Sequence, residues 1–245
     1  VTYGASVPQN LQDAPAQAHG PVGSLGIIGA GRVGAAVARL ALTAGYEVVI
    51  AGSGSPERIA TFVGYEAPGA RPVMASDAAA ADLVVLAIPL GKFRSLPVNA
   101  LRGALVIDAM NYWWEYDGAI PELNDPLTST SETLQVFLSE ARVVKTLNHM
   151  SVYALEHEAR AAGDPERKAL AVAGDDDDAV ARVVQFVERI GFDAVVAGPL
   201  AQGMKLEPHT ALFAADEDAA EVRAILDRFW QSQRGRVVAR ARGLV

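Results

Sequence analysis

Three observations predict an α/β chain built on a doubly wound, mostly parallel sheet, with a small helical appendage at its C-terminal end. The stretch Leu25 to Gly34 (LGIIGAGRVG) reads as a short apolar strand that runs through a glycine-rich turn into a helix. Apolar runs of strand length then alternate with helix-period segments as far as about residue 198. Beyond Gly198 and Pro199 the strand signals stop, and a helical stripe takes over.

The chain has 245 residues, 51% hydrophobic and 20% charged, enough for a sizeable core. Lys and Arg number 21 against 29 Asp and Glu, and the net charge of −8 argues against general affinity for nucleic acid or an anionic membrane surface. Anionic ligands must therefore be bound locally. The lack of cysteine removes disulfides, thiolate zinc sites and cysteine nucleophiles together. No apolar run approaches the roughly 20 residues that span a bilayer. The opening residues also lack the order of a signal peptide, so the expected location is the cytoplasm.

Residues 1–24 mix Pro, Gly, Gln and Ala without periodicity and are expected to be a disordered tail. Residues 25–198 are expected to form the sheet domain. Its first helix shows Val33, Val37, Leu40, Ala41 and Ala44 at helical spacing, and Gly45 is placed to end it. Glu47 to Ala51 is a β-branched second strand, which gives the glycine turn its strand-helix-strand context. Pro56 suits the first turn of a helix through roughly Phe62. Pro72 to Ala75 reads as a short third strand, and Ala78 to Ala81 as a small-residue link.

Asp82 to Pro89 and Ala104 to Asp108 are the apolar runs expected of strands buried on both faces. Ser129 and Glu132 have the spacing of a capping box, and Leu134, Phe137 and Leu138 supply the apolar face of the helix they open. Arg142 to Leu147 is a sixth strand. Ala169 to Ala173 and Asp193 to Ala197 flank a helix with Val180, Val183, Val184, Val187 and Ile190 on one face. Residues 199–245 are expected to be a C-terminal helical segment carrying Val222, Ile225, Leu226, Phe229 and Trp230.

In an open parallel sheet, ligands bind beyond the carboxyl ends of the strands. In the first turn Gly29 permits the reversal, Gly31 lets the backbone approach a pyrophosphate, and Gly34 lets helix and strand pack closely. The helix N-terminus then offers N–H groups to the phosphates. After the second strand an NAD-binding domain usually carries an acid for the ribose hydroxyls, but here the chain reads Gly52-Ser53-Gly54-Ser55-Pro56-Glu57-Arg58. Two hydroxyls and a guanidinium suit a 2′-phosphate, which favours NADP over NAD. Alternatively the stretch is a turn with Ser55 as helix N-cap.

Ile88 and Pro89 after the fourth strand, and Asp108 to Asn111 after the fifth, should border the nicotinamide half. Asn148 and His149 after the sixth put polar groups at the mouth of the same crevice, unless Asn148 bridges loops and His149 is a satisfied structural histidine. Tyr112, Trp113, Trp114 and Tyr116 are read as core or interface in preference to a pocket wall. The run Asp175 to Asp178 is read as helix capping, and no spacing of His and carboxylates makes a metal motif.

These residues resemble the coenzyme F420-dependent NADP oxidoreductases, and also the cytoplasmic oxidoreductase domain of the STEAP metalloreductases. The likeness rests on Gly29 to Gly34, Gly52-Ser53, Ala87-Ile88-Pro89, Arg142 to Asn148, Val172 to Asp176 and Ala197 to Leu200. The resemblance implies a Rossmann-like fold in which Gly29, Ala30, Gly31, Arg32, Val33 and Gly34 hold the NADP phosphates. It implies that Ser53 and Arg58 meet the 2′-phosphate, in a cofactor-binding turn that includes Gly54 and Ser55, and that Ile88, Pro89 and Asn111 lie on the nicotinamide side. Asn148, with His149, would orient the hydride acceptor, which is coenzyme F420 or a flavin such as FAD or FMN. Gly54 stands where the family usually has an arginine.

The implied activity is hydride transfer between NADP(H) and a small-molecule redox substrate, by a cytoplasmic homodimer. The alternative is a non-catalytic NADP(H)-binding sensor or partner protein. It is motivated by the segment His149 to Tyr153, which departs from the family, and by the long acidic-to-basic tail from Asp216 to Arg242.

Overall fold

A computed structural model describes residues 23–243. The expected tail lies almost wholly outside these residues. Eight strands form one sheet: β1 (Ser24–Ile28), β2 (Glu47–Ala51), β3 (Arg71–Pro72), β4 (Leu83–Leu86), β5 (Leu105–Asp108), β6 (Arg142–Lys145), β7 (Ala169–Gly174) and β8 (Asp193–Gly198). Their order across the sheet is β3-β2-β1-β4-β5-β6-β7-β8. The first six strands run parallel, β7 pairs antiparallel to β6, and β8 follows β7 in parallel. This is the doubly wound Rossmann arrangement, with its order reversing between β1 and β4.

The helices divide between the two faces. On one face lie α1 (Arg32–Thr43), α2 (Glu57–Glu66), α4 (Val152–His157) and α5 (Asp177–Arg189). They share a core in which Val37, Val63, Ala154 and Phe186 pack with Ile27, Val85 and Ile107 of the sheet. The other face is covered by α3 (Thr130–Phe137) and short helical turns, around Leu86, Val106, Leu134 and Leu200. Further along that face α6 (Ala219–Arg228) packs Val222 and Leu226 against Ala171 and Val195. The last helix, α7 (Gln233–Ala241), joins Phe229 and Met204 through Val238.

Local chemistry accounts for the boundaries. Gly45 adopts φ 87° just past α1 and donates to the Leu42 carbonyl, as a helix-ending glycine does. Ser129 and Glu132 form the full capping box at the start of α3. Asp176 caps α5 through the Ala179 amide, so the acidic run serves the helix start. The reading of Pro72 to Ala75 as a strand is corrected, because pairing ends within β3 and Ala75–Ala78 is a helical turn. That turn presses so closely on β1 that a Cβ at Gly26 would stand 1.8 Å from the Ala78 carbonyl oxygen.

The segment after β8 packs back onto the sheet. A 3-10 turn, Leu200–Leu206, returns over the sheet; the Leu200 amide donates to Asp175 and its carbonyl accepts from Ser129 Oγ.

Candidate functional site

Because β2, β1, β4, β5 and β6 are adjacent and parallel, their carboxyl ends form one edge about 19 Å across at the usual strand spacing. The residues proposed from sequence fall along it in order, from Ser53 beside β2, through Gly31 after β1 and Pro89 after β4, to Asn111 and Asn148 after β5 and β6.

At the first turn the three glycines have separate causes. Gly29 has φ 134°, and a Cβ there would strike the Ala87 carbonyl at the point where the sheet order reverses. Gly34 is buried, and a Cβ there would lie 2.0 Å from the Gly29 carbonyl oxygen, so strand, turn and helix touch backbone to backbone. Gly31 is different: its φ of −117° suits any residue, and a Cβ would meet nothing within 4 Å. It is exposed, caps α1 without a side-chain bond, and leads into a first turn with no acidic residue. Arg32 is exposed beside it, while Ala30 and Val33 are half-buried. The first amides of α1 are thereby open to an anion.

At the end of β2, Ser53, Gly54, Ser55 and Arg58 are all exposed. Gly54 has φ 97°, and a Cβ there would come within 3.0 Å of Arg58 Nη1, so the guanidinium folds over the turn. Pro56, not Ser55, occupies the cap position of α2, and no side chain caps that helix. The Ser55 hydroxyl instead hydrogen-bonds Glu57 and holds its carboxyl below the usual range. The N-cap reading of Ser55 is thus corrected.

The far half of the edge is built from buried polar groups. Asn111 donates Nδ2 to the Asn148 carbonyl (2.8 Å), and Asn148 donates Nδ2 to Asn111 Oδ1 (2.9 Å) and to the Leu206 carbonyl (2.7 Å). Asn148 is 5% exposed, and its Oδ1 has no partner among the described residues. The preceding residue, Leu147, has φ 68°, a left-handed conformation that costs a branched side chain about 1–3 kcal/mol. Such strain persists only where the surroundings enforce it.

His149 is not at the crevice mouth, which corrects the expectation that it orients an acceptor. It is fully buried, and Nε2 accepts from the Ala171 amide of β7 at 2.9 Å. Burial, with the nearby Lys145 charge, pushes its pKa down to about 4, so the ring is neutral and carries its proton on Nδ1. Trp113 packs edge-on against His209 and Phe213, but Trp114 and Tyr116 are exposed and belong to no core. Tyr112 and Trp114 line a cavity of about 250 Å³ with Thr130, Glu207, His209 and Arg234.

Sequence reasoning missed a buried ion pair. Lys145 Nζ lies 3.1 Å from Asp108 Oδ2, with both side chains at most 1% exposed. The available signal was a lone acid and a lone base closing two apolar strands; the sheet register makes them direct partners. No group of three or more His, Cys or carboxylate residues among the described residues could hold a metal ion. No described helix is long and apolar enough to cross a membrane.

Comparison with known proteins finds a family match in the first part of the chain. Residues 24–112 match the family model described as NADP oxidoreductase coenzyme F420-dependent. The resemblance read from the sequence holds there. No curated protein matches the chain. Among solved structures, a hypothetical protein from Sinorhizobium meliloti is 25% identical, with TM-score 0.69 over 79% of this chain and 94% of its own. A protein named as a candidate F420-dependent NADP reductase, from an Arthrobacter species, is 26% identical, with TM-score 0.63 over 85% of this chain and 94% of its own. An imine reductase from Myxococcus stipitatus, solved with NADP+, shares the fold at 17% identity and TM-score 0.54, over 90% of this chain and 67% of its own.

Proposed function

We propose that this chain binds NADP(H) along the carboxyl edge of β2, β1 and β4 and exchanges a hydride between the nicotinamide and a deazaflavin (coenzyme F420) or flavin-like acceptor beside β5 and β6. The observation that carries this reading is Gly31. Neither its backbone angles nor its neighbours require glycine, so the missing side chain serves something outside the protein. The β2 end adds a preference. It has no acid at the strand terminus to take ribose hydroxyls, and it has Ser53 with the Arg58 guanidinium over the turn, which suits a 2′-phosphate.

The family description names NADP and coenzyme F420, and the Arthrobacter protein's name carries both. These support NAD(P)-dependent oxidoreduction in the chain. When bound, the nicotinamide and the acceptor ring supply the hydride chemistry themselves. The protein's part is to hold the pyrophosphate at the start of α1, to wall the nicotinamide side with Ile88, Pro89 and Asn111, and to present Asn148 toward the acceptor. The reading includes a cytoplasmic homodimer whose partner molecules are small redox substrates.

The test is a screen of purified protein with NADPH and coenzyme F420, FAD, FMN or a ferric chelate, followed at the nicotinamide absorption band. Turnover near 1 per second or faster, an ordinary enzyme rate, is expected with at least one acceptor. Tight NADPH binding by calorimetry with no turnover would instead identify a nucleotide-binding sensor.

A further inference from the structure

We infer that the buried pair Asp108–Lys145 is a positioning device that sets Asn111, and through it Asn148, at the acceptor side of the crevice. The inference rests on the functional reading above only for its consequence in catalysis. Its geometric content stands without a nucleotide.

The pair does more than neutralise itself. Asp108 Oδ1 accepts the Met110 amide at 3.0 Å, and Lys145 Nζ donates to the Met110 carbonyl at 2.5 Å. The two charged groups thus grip both polar atoms of the residue immediately before Asn111. Asp108 Oδ2, already 3.1 Å from Lys145, also accepts Ser131 Oγ at 2.7 Å, which ties the carboxylate to the first turn of α3. All four of these contacts lie in buried surroundings, where charge-assisted hydrogen bonds are strong and directional.

From Met110 the restraint passes on in two steps. Asn111 and Asn148 exchange hydrogen bonds reciprocally, and Asn148 is fixed a third time at the Leu206 carbonyl. Asn148 therefore cannot swing without breaking the Asn111 pair, and Asn111 cannot move without Met110. Three separate elements, β5, β6 and the turn before Pro208, meet in this one lattice of bonds.

A charged pair is a poor choice if stability alone were needed, since apolar residues of similar volume often serve a core as well or better. What apolar residues cannot do is hold one residue by both its backbone N–H and its backbone C=O. That difference separates positioning from simple filling. Asp108→Leu with Lys145→Met should remove the grip while leaving no unpaired buried charge.

The experiment compares this double variant with wild type and with Lys145→Met alone. The Asn111 and Asn148 side-chain amide signals, assigned through Asn111→Asp and Asn148→Asp, are followed by 15N–1H correlation spectroscopy without nucleotide. Should the double variant fail to fold, the same signals are read in Asp108→Asn, which keeps volume and one acceptor. Both amides are expected to move toward solvent-like shifts and to lose at least tenfold in hydrogen-exchange protection in the folded variant. With NADPH and an acceptor that turns over, kcat should fall at least tenfold while the affinity for 2′-phospho-ADP-ribose, which lacks nicotinamide, stays within twofold. Unmoved asparagine amides in a folded variant would overturn the inference. A wild-type chain that binds no NADPH would overturn the functional reading alone, because the amide measurement needs no ligand.

Discussion

The two halves of the sheet's carboxyl edge are built on opposite principles. Around β1 and β2 the edge is open backbone: exposed glycines, exposed serines, one folded guanidinium and the bare start of α1. Around β5 and β6 it is closed and bonded, with Asp108, Lys145, Asn148 and His149 all at most 5% exposed. The first half leaves space for a large ligand to supply the missing bonds. The second half satisfies most of its own and leaves single atoms, such as Asn148 Oδ1, unmatched. The contrast suits a crevice that grips a dinucleotide at one end and holds a smaller group in fixed orientation at the other.

The sharpest way to separate the halves is acid. His149 has its pKa lowered from 6.5 to about 4, because burial disfavours the imidazolium and the Lys145 charge adds to this. The unfolded chain therefore takes up a proton between these values that the folded chain refuses, so stability rises with pH across that window. The His149 contribution is complete above pH 6.5 and is lost progressively as pH falls toward 4. It amounts to about 3 kcal/mol. Urea unfolding of the wild type should show this loss between pH 7 and pH 4, and His149→Asn should show a much shallower slope. Parallel slopes would mean that other groups govern acid sensitivity. NADPH affinity, which the proposed function assigns to the open half, should not follow the His149 curve.

A second comparison lies within the glycine turn. A side chain at Gly34 meets backbone at 2.0 Å, whereas one at Gly31 meets nothing. Gly34→Ala should therefore cost about 1–3 kcal/mol of stability by overpacking. Gly31→Glu should leave the thermal midpoint within about 2 °C of wild type, yet weaken NADPH about 100-fold, roughly 2.7 kcal/mol, by placing bulk and charge where the pyrophosphate would lie. Calorimetric titration and thermal unfolding of the two variants check this. If Gly31→Glu binds NADPH as well as wild type, the turn is not the phosphate site.

The same division explains what could be read from the sequence. The strands of the parallel sheet were legible because burial on both faces demands unbroken apolar runs, and the glycine turn because backbone contact and ligand approach demand glycine at fixed spacing. The capping box at Ser129 and Glu132 was legible for a similar local reason. The half around β5 and β6 was not, since its meaning lies in pairings across long separations. Asp108 meets Lys145 only once β5 and β6 are in register, and Asn148 meets Leu206 only after the chain has returned past β8. His149 shows the limit most clearly. Its position after a strand suggested the crevice, but an amide of the antiparallel strand β7 claims its ring. Trp114 and Tyr116 show a related limit, because aromatic content alone carries no information about which side the one-turn helix Trp114–Asp117 presents.

The smallest effect concerns which dinucleotide the open half prefers. Arg58 is exposed and folded over Gly54, so the contact proposed for it with a 2′-phosphate would be charge-assisted yet screened by solvent and salt. Arg58→Ala should weaken NADPH about tenfold, roughly 1.4 kcal/mol, and NADH by less than about twofold, because only NADPH carries the extra phosphate. Glu57 works against the arginine. Its carboxyl is held ionised by the Ser55 hydroxyl in the first turn of α2, next to the place where a phosphate dianion would sit. Glu57→Gln should then move NADPH affinity the other way, upward, and by less than Arg58→Ala moves it down. Raising the salt from 50 to 300 mM should shrink both changes together, since both act through exposed charge. Equal losses of NADPH and NADH in Arg58→Ala would remove the 2′-phosphate from this turn and leave Arg32, exposed at the start of α1, as another guanidinium of this edge to take it.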